Sequence, residues 1–296
     1  MNNGSRLERA VRLLPLLLAS ILTGFVTTAR AQQMIVPTTD ALPAQSAQSG
    51  GEEEEEFIKP SRPSVANPAE IQKAGVLQLE YGYDGNFRAA EFRAEQSAPL
   101  SLRFAAGSRL LLEADLDTIK SQTDETGTRR TGVGDTRLGL QVVALKDTEH
   151  HPALAFAYYV KLPTASEEKE LGTGRVDHKV MVLLSKKVGQ TDVDFNSALL
   201  VVGHEDIAHR WVAGGQFALS FEHEFENNFG VQGELSGQSK DDVQPQGLFA
   251  LGALTYKVNR RLILDGGMRF GLNADAPRFG VFAGFTVGIA DLYKKK

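Results

Sequence analysis

The chain has 296 residues, with 32 Lys+Arg, 37 Asp+Glu, 29 Gly, 11 Pro and no Cys. Hydrophobic residues make up 42%, enough for one sizeable folded unit, so wholesale disorder is excluded. Zero Cys excludes a disulfide scaffold, a thiol nucleophile, a Cys-ligated metal and a lipoprotein anchor, and the net charge of -5 leaves no footprint for a nucleic-acid partner.

The chain opens with a leader. Arg6, Arg9 and Arg12 precede an apolar run from Leu13 to Val26, and Ala29-Arg30-Ala31 forms an A-x-A cleavage site. This order reads as a secretory signal peptide over residues 1–31, cleaved after Ala31. The 14-residue run is short for a helix crossing a ~30 Å hydrocarbon core, which disfavours an uncleaved anchor. Residues 32–74 read as a disordered, acidic, Pro-rich linker on the periplasmic side. Pro37, Pro43, Pro60, Pro63 and Pro68 punctuate it, and residues 52–56 are five consecutive Glu. A calcium site is the sharper reading of those five Glu; a solvated spacer is the plainer and favoured one. Met34-Ile35-Val36-Pro37 is a weak signal for a docking peptide.

From Gly75 the dominant period is two. Leu77, Leu79, Tyr81 and Tyr83 alternate with Gln78, Glu80, Gly82 and Asp84; Leu138, Leu140 and Val142 alternate with Arg137, Gly139 and Gln141. The same pattern returns down the chain to Phe279, Val281, Phe285, Val287 and Ile289. Twelve strands result. One, at residues 247–257, is apolar on both faces, so its phase stays open.

The connections alternate as well. Five short ones (106–108, 146–152, 187–190, 226–228, 258–260) interleave with six longer ones (85–96, 120–131, 163–174, 203–210, 239–246, 272–277). An even strand count with short and long connections in alternation is the layout of a transmembrane antiparallel up-and-down β-barrel. Aromatics support it. Tyr83, Trp211, Phe270 and Phe279 fall near one end of their strands, and Phe104, Phe225, Phe229 and Tyr293 near the other. A soluble sandwich explains the alternation equally well. It explains the loop alternation and the two girdles less well, so the expected fold is an all-β outer-membrane barrel over residues 75–293. A basic tail, residues 294–296, follows it.

In such a barrel Glu80, Glu113, Asp115, Asp192, Asp194, Glu222, Glu234 and Asp265 point inward, as do Arg103, Arg137, Lys161, Lys179 and Arg269. Asp84 and Asp117 add two further acids. One reading is a wetted pore whose acid excess favours cations or neutral solutes. The other is a ladder of ion pairs that fills the interior, since twelve strands lie between a side-chain-filled eight and an open sixteen. Inward glycines at 82, 139, 267, 280, 284 and 288 free volume and lean toward a passage.

Particular residues then look familiar. Gly132-Val133-Gly134-Asp135 opens a strand, Lys161-Leu162-Pro163-Thr164 closes the next, and Leu171-Gly172-Thr173-Gly174 follows, with Asp177 just after. With Gly75-Val76-Leu77-Gln78-Leu79-Glu80 as the opening strand, these resemble the outer-membrane transporter family labelled "MetA-pathway of phenol degradation", over roughly residues 63–293. The resemblance implies a bacterial outer-membrane barrel that passes small compounds, aromatic or hydrophobic ones among them, and that is inserted by the outer-membrane assembly machinery. It brings no catalytic residues. Such barrels commonly end on an aromatic residue, whereas Tyr293 here is followed by Lys294, Lys295 and Lys296. The GVGD and GTG glycines suit turns better than a phosphate cradle, because no helix follows them.

No catalytic, cofactor or metal residue is assigned. Ser220 and His223 have odd spacing and should face opposite ways, which disfavours a lipid hydrolase. His204, Glu205, Asp206 and His209 cluster, but loop polarity accounts for them more simply than a metal. The expected function is passive passage of small solutes across the outer membrane, in contact with its lipid. The alternatives are a structural barrel with a closed lumen and, less favoured, an outer-membrane lipid hydrolase.

Overall fold

The computed structural model describes residues 56–89, 92–203, 211–239 and 246–293. The leader, residues 32–55 of the expected linker, the cluster around His204 and His209 and the basic tail lie outside the described residues.

The strands are β1 (Val76–Phe87), β2 (Ala94–Ala105), β3 (Leu110–Thr123), β4 (Arg129–Gly132), β5 (Thr136–Leu145), β6 (Ala153–Leu162), β7 (Asp177–Val188), β8 (Thr191–Gly203), β9 (Trp211–Glu224), β10 (Phe229–Gln238), β11 (Gly247–Asn259), β12 (Leu262–Gly271) and β13 (Phe279–Asp291). Each pairs antiparallel with its neighbours, and β1 pairs with β13, so the sheet closes on itself. Twelve strands make this barrel, as the alternation predicts. The thirteenth, β4, pairs only with the far part of β3, from Lys120↔Gly132 to Thr123↔Arg129. It sits inside what the sequence reads as the loop 120–131, because Arg129 to Gly132 has no apolar alternation to betray it.

The apolar row faces out. Leu112, Leu138, Leu140, Val180, Leu199, Val231 and Leu264 are exposed, while Gln78, Arg103, Gln141 and Asn196 are buried. This inverts the pattern of a soluble protein and matches a wall bathed in lipid. It also fixes the phase of β11, whose Phe249, Leu251 and Ala253 are buried and whose Leu248, Leu254 and Tyr256 are exposed. Aromatic pairs rim both ends. Phe87 stacks on Phe279 at 5.1 Å at the end carrying the long loops, and Phe104 meets Tyr293 edge-on at 6.2 Å at the end carrying the short turns. These are called the loop end and the turn end below. β1 begins and β13 finishes at the turn end.

The linker expectation needs correcting from residue 56 onward. Residues 56–73 form a hairpin inserted into the barrel from the turn end. Its two ends are tied together where the Lys73 N–H donates to the Glu56 carbonyl at 2.9 Å. Between them the chain meets strands all around the wall: Glu80 of β1, Arg103 of β2, Gln141 of β5, Ser185 of β7, Asn196 of β8, Glu234 of β10 and Asp265 of β12. Only a segment inside a closed sheet can do this. The segment has little apolar surface, which is why it reads as a spacer. It is ordered instead by hydrogen bonds to the polar inner face, where unpaired donors would be costly. A small apolar patch helps: Ala69 packs with Ala153, Ala155, Ala157, Tyr159, Met181 and Leu183.

The inward glycines do not leave a passage at this level. A Cβ on Gly284 would lie 2.7 Å from the Arg62 guanidinium, and one on Gly288 would lie 2.5 Å from the Phe57 ring. The wall is recessed where the hairpin lies against it. Gly139 gives the same room to a wall residue, since a Cβ there would lie 2.3 Å from the Tyr159 ring. Gly139→Leu should therefore overpack the lumen and lower stability by about 1–3 kcal/mol. The check is the urea midpoint of the detergent-folded protein; a midpoint equal to wild type would show that Tyr159 has room to move.

Candidate functional site

The lumen is the candidate site, and Glu80 is its most connected side chain. It is 1% exposed. Its carboxylate accepts from the Ser61 N–H at 3.0 Å, the Ser61 hydroxyl at 3.0 Å, the Arg62 N–H at 3.1 Å, the Gln78 amide at 2.7 Å and the Arg103 guanidinium at 3.2 Å. Arg103, wholly buried, also reaches Glu113 at 3.2 Å and donates to the Lys59 carbonyl at 2.6 Å. Three strands, β1, β2 and β3, and the hairpin thus share one charge network.

The other inward residues expected from the sequence fall into three groups. Some tie wall to wall: Arg137 pairs with Asp115 at 2.8 Å and lies over the Tyr159 ring, and Arg269 pairs with Asp84 at 2.7 Å. Some hold the hairpin: Glu234 accepts the Val65 and Ala66 N–H groups, each at 2.8 Å, and Asp265 takes the Arg62 guanidinium at 3.1 Å. The rest line open space. Lys179 faces a chamber on the loop side of the hairpin, and Asp192, Asp194 and Glu222 face one on the turn side. Those chambers have volumes of about 210 and 240 Å³. The hairpin residues Lys59, Arg62 and Asn67 belong to this site and were missed in a segment read as a spacer. Lys59 and Arg62, two cations within four residues just after the run of five Glu, are the sequence signal available.

At the turn side Lys59 lies 3.1 Å from Glu56 and 3.7 Å from Asp192. Burial works against its charge, but Glu56, Asp192 and Asp194 outweigh that and hold its pKa above that of an ordinary lysine. Burial pushes Glu56 up, and the Lys59 ammonium more than offsets this, so Glu56 titrates below the usual carboxylate range.

Lys161 stands apart from the hairpin and explains the sequence motifs. Its ammonium reaches Asp177 at 2.6 Å, Thr173 at 3.0 Å and Asp135 at 3.5 Å. The GVGD, KLPT and GTG elements and Asp177 therefore converge on one buried cation. Asp135 also accepts from the Ala165 N–H at 2.8 Å, and Asp177 from the Gly203 N–H at 2.8 Å. These elements fasten the loops 163–176 onto the barrel mouth. The described histidines outside the β5–β6 turn are also engaged. His178 bonds the Tyr158 hydroxyl at 2.7 Å, and His223 bonds the Thr191 hydroxyl at 2.9 Å. Ser220 is buried on the face opposite His223.

Two predictions follow from these networks. Arg103→Met strands Glu80 and Glu113 in the interior, so stability should fall by about 3–5 kcal/mol; an unshifted unfolding midpoint would show that water relieves both carboxylates. Lys161→Ala should release the loops 163–176 while the barrel stays folded. Limited proteolysis should then cut there several-fold faster, and an unchanged rate would mean that the ion cluster does not hold them.

A family model described as "MetA-pathway of phenol degradation" matches residues 61–289. No curated protein matches the sequence. Among solved structures the chain is similar to an outer membrane channel from Pseudomonas putida F1, at 14% identity and a TM-score of 0.54, over 78% of this chain and 99% of that one. It is also similar to the KdgM porin (9% identity, TM-score 0.48, 72% of this chain and 99% of that one) and to the CymD monoaromatic hydrocarbon channel (9%, 0.44, 73% and 89%). The Pseudomonas structure shares the barrel fold. With a family match that runs from the hairpin through all twelve barrel strands, this chain belongs to the MetA-pathway of phenol degradation family.

Proposed function

We propose that the protein is an outer-membrane channel for passive passage of small compounds, aromatic or hydrophobic ones among them, closed at rest by its own hairpin. The observation that supports this most is the division of a polar lumen into two chambers by the segment 56–73, which lies between them and is held to the wall by hydrogen bonds and ion pairs. Outer-membrane barrels place short turns in the periplasm and long loops outside. The hairpin then enters from the periplasm, where the leader 1–31 would deliver the chain and be removed after Ala31. The assembly machinery would insert it. Family membership carries the suggestion of small aromatic cargo. Monoaromatic compounds are the first class to try here.

The lumen charge sets the expected selectivity. Acids outnumber bases along the wall, so cations and neutral solutes should pass in preference to anions. A channel fits better than a lipid hydrolase, because His178 and His223 are bonded to Tyr158 and Thr191 rather than to serine. A closed structural barrel is the second reading, favoured by the ion pairs that brace the wall around the hairpin.

Single-channel recording of residues 32–296 in a planar bilayer tests this. Wild type should give small, infrequent steps. Arg62→Ala combined with Asp265→Ala frees the hairpin tip and should raise the open fraction several-fold. Neutralising Asp192, Asp194 and Glu222 should weaken cation preference. Silence from wild type and the double variant alike, both folded, would reject the channel in favour of the closed structural barrel.

A further inference from the structure

A hollow of about 460 Å³ opens at the loop end, lined by Phe87, Phe92 and Phe279 and by Arg88, Arg93 and Glu125. None of these residues lines either chamber of the lumen. Phe87 and Phe279 stand opposite each other across β1 and β13 and stack at 5.1 Å. Two-residue steps place Phe87 in the outward row of β1 that carries the exposed Tyr83. The hollow therefore faces lipid, at the level of the loop-end aromatic girdle.

Its cations are uncompensated. The Arg88 N–H donates to the Arg93 carbonyl at 2.9 Å, and the Arg278 N–H donates to the Arg88 carbonyl at 3.3 Å. Three arginines thus start side by side at the loop ends of β1, β2 and β13, one strand spacing of about 4.8 Å from one to the next. All three are exposed, and like charges so placed repel. Among the described residues none of them has a carboxylate within ion-pair distance. Arg130 of β4 shows the contrast, paired with Asp124 at 3.6 Å and Glu170 at 2.8 Å. Arg88 also holds a left-handed φ of 61°, which glycine would adopt without strain. The turn itself therefore gives no reason for an arginine there.

Aromatic rings and unpaired cations in one lipid-facing hollow fit an amphiphile with an anionic head. A soluble anion would need the cations alone, and a neutral lipid the rings alone. Guanidinium forks match phosphate oxygens, and basic pockets at a membrane interface take phosphorylated head groups. The outer leaflet of a bacterial outer membrane supplies such a molecule, a phosphorylated glycolipid with several acyl chains. We infer that this hollow is a binding site for the phosphorylated head group of an outer-leaflet glycolipid. Arg88 and Arg93 hold the phosphate, Arg278 adds charge beside them, and an acyl chain lies along Phe87 and Phe279. Glu125 is left to accept a sugar hydroxyl. The site rests on the outer-membrane reading but not on passage, since it lies outside the lumen.

Native mass spectrometry of the detergent-folded chain, residues 32–296, titrated with purified bis-phosphorylated lipid A tests it. Wild type should retain one lipid per chain. Arg88→Gly combined with Arg93→Gln should weaken retention about 10- to 30-fold. Its urea midpoint should match or exceed that of wild type, which a merely structural role for these arginines would not give. Arg278→Gln alters no left-handed position and should weaken retention about 5-fold, so it keeps the test decisive if the double variant does not fold. Arg109→Gln with Lys187→Gln, at the turn end, should retain the lipid as wild type does. Dephosphorylated lipid A should bind about 10-fold more weakly than the phosphorylated form. Wild-type retention by the folded site variants overturns the site. Displacement of the lipid by inorganic phosphate or by benzoate overturns the lipid and leaves a site for soluble anions. Mass spectrometry reads no flux. A chain silent in bilayers that keeps its lipid rejects the channel and keeps the site, and a conducting chain that retains none does the reverse.

Discussion

The Glu80 carboxylate is the constraint on which the interior depends. Five donors from β1, β2 and the hairpin converge on it. A carboxylate this deep would be prohibitive if unpaired. It is tolerable because Arg103 neutralises it and backbone N–H groups of the hairpin saturate its remaining lone pairs. Insertion of the hairpin is thus part of how the barrel solves its own electrostatics. The wall needs the hairpin's donors as much as the hairpin needs the wall's acceptors.

That dependence explains which features were legible in the sequence. The lipid-facing rows are strictly periodic because hydrocarbon tolerates nothing else, and so the twelve barrel strands can be read from residues such as Leu138, Leu140 and Val142. Inward orientation of Glu80, Arg103 and Glu234 follows automatically, since a strand has only two faces. The phase of β11 was not legible because its lumen face carries Phe249, Leu251 and Ala253, a second apolar row that packs beside Phe282. β4 was not legible because it pairs with β3 alone, beyond the barrel wall, where no alternation is required.

The hairpin escaped for a different reason. Sequence reading equates order with apolar burial, and residues 56–73 bury backbone donors instead. Val65, Ala66 and Asn67 are held through their N–H groups, which every residue but proline carries, so side-chain identity hardly records the fact. The wall glycines do record it. Gly82, Gly284 and Gly288 read as spare volume in the sequence, but they are shallow places fitted to Arg62, Phe57 and Ile58. The GVGD, KLPT and GTG elements were visible as motifs but not as a site, because their common partner, Lys161, brings them together only in three dimensions.

The same chemistry bears on how a closed lumen could serve passage. A stopper packed through apolar contacts would lose its whole burial free energy on leaving. A stopper held by hydrogen bonds exchanges them for water, at a net cost of about 0.5–1.5 kcal/mol for each neutral bond and about 1.5–3 kcal/mol for each bond to a carboxylate such as Glu80 or Glu234. The ion pairs to Arg62 and Lys59 are the stronger fastenings, and both lie in water-accessible chambers where screening weakens them. The base of the hairpin is secured separately, by the Lys73–Asp291 pair and by Phe57 beneath the Arg261 guanidinium. Polar bonds at the tip and fixed ends at the base make the tip the part that moves at least cost, while the base stays tied to the barrel. The polarity of this lumen is therefore compatible with apolar cargo, because it keeps the stopper releasable.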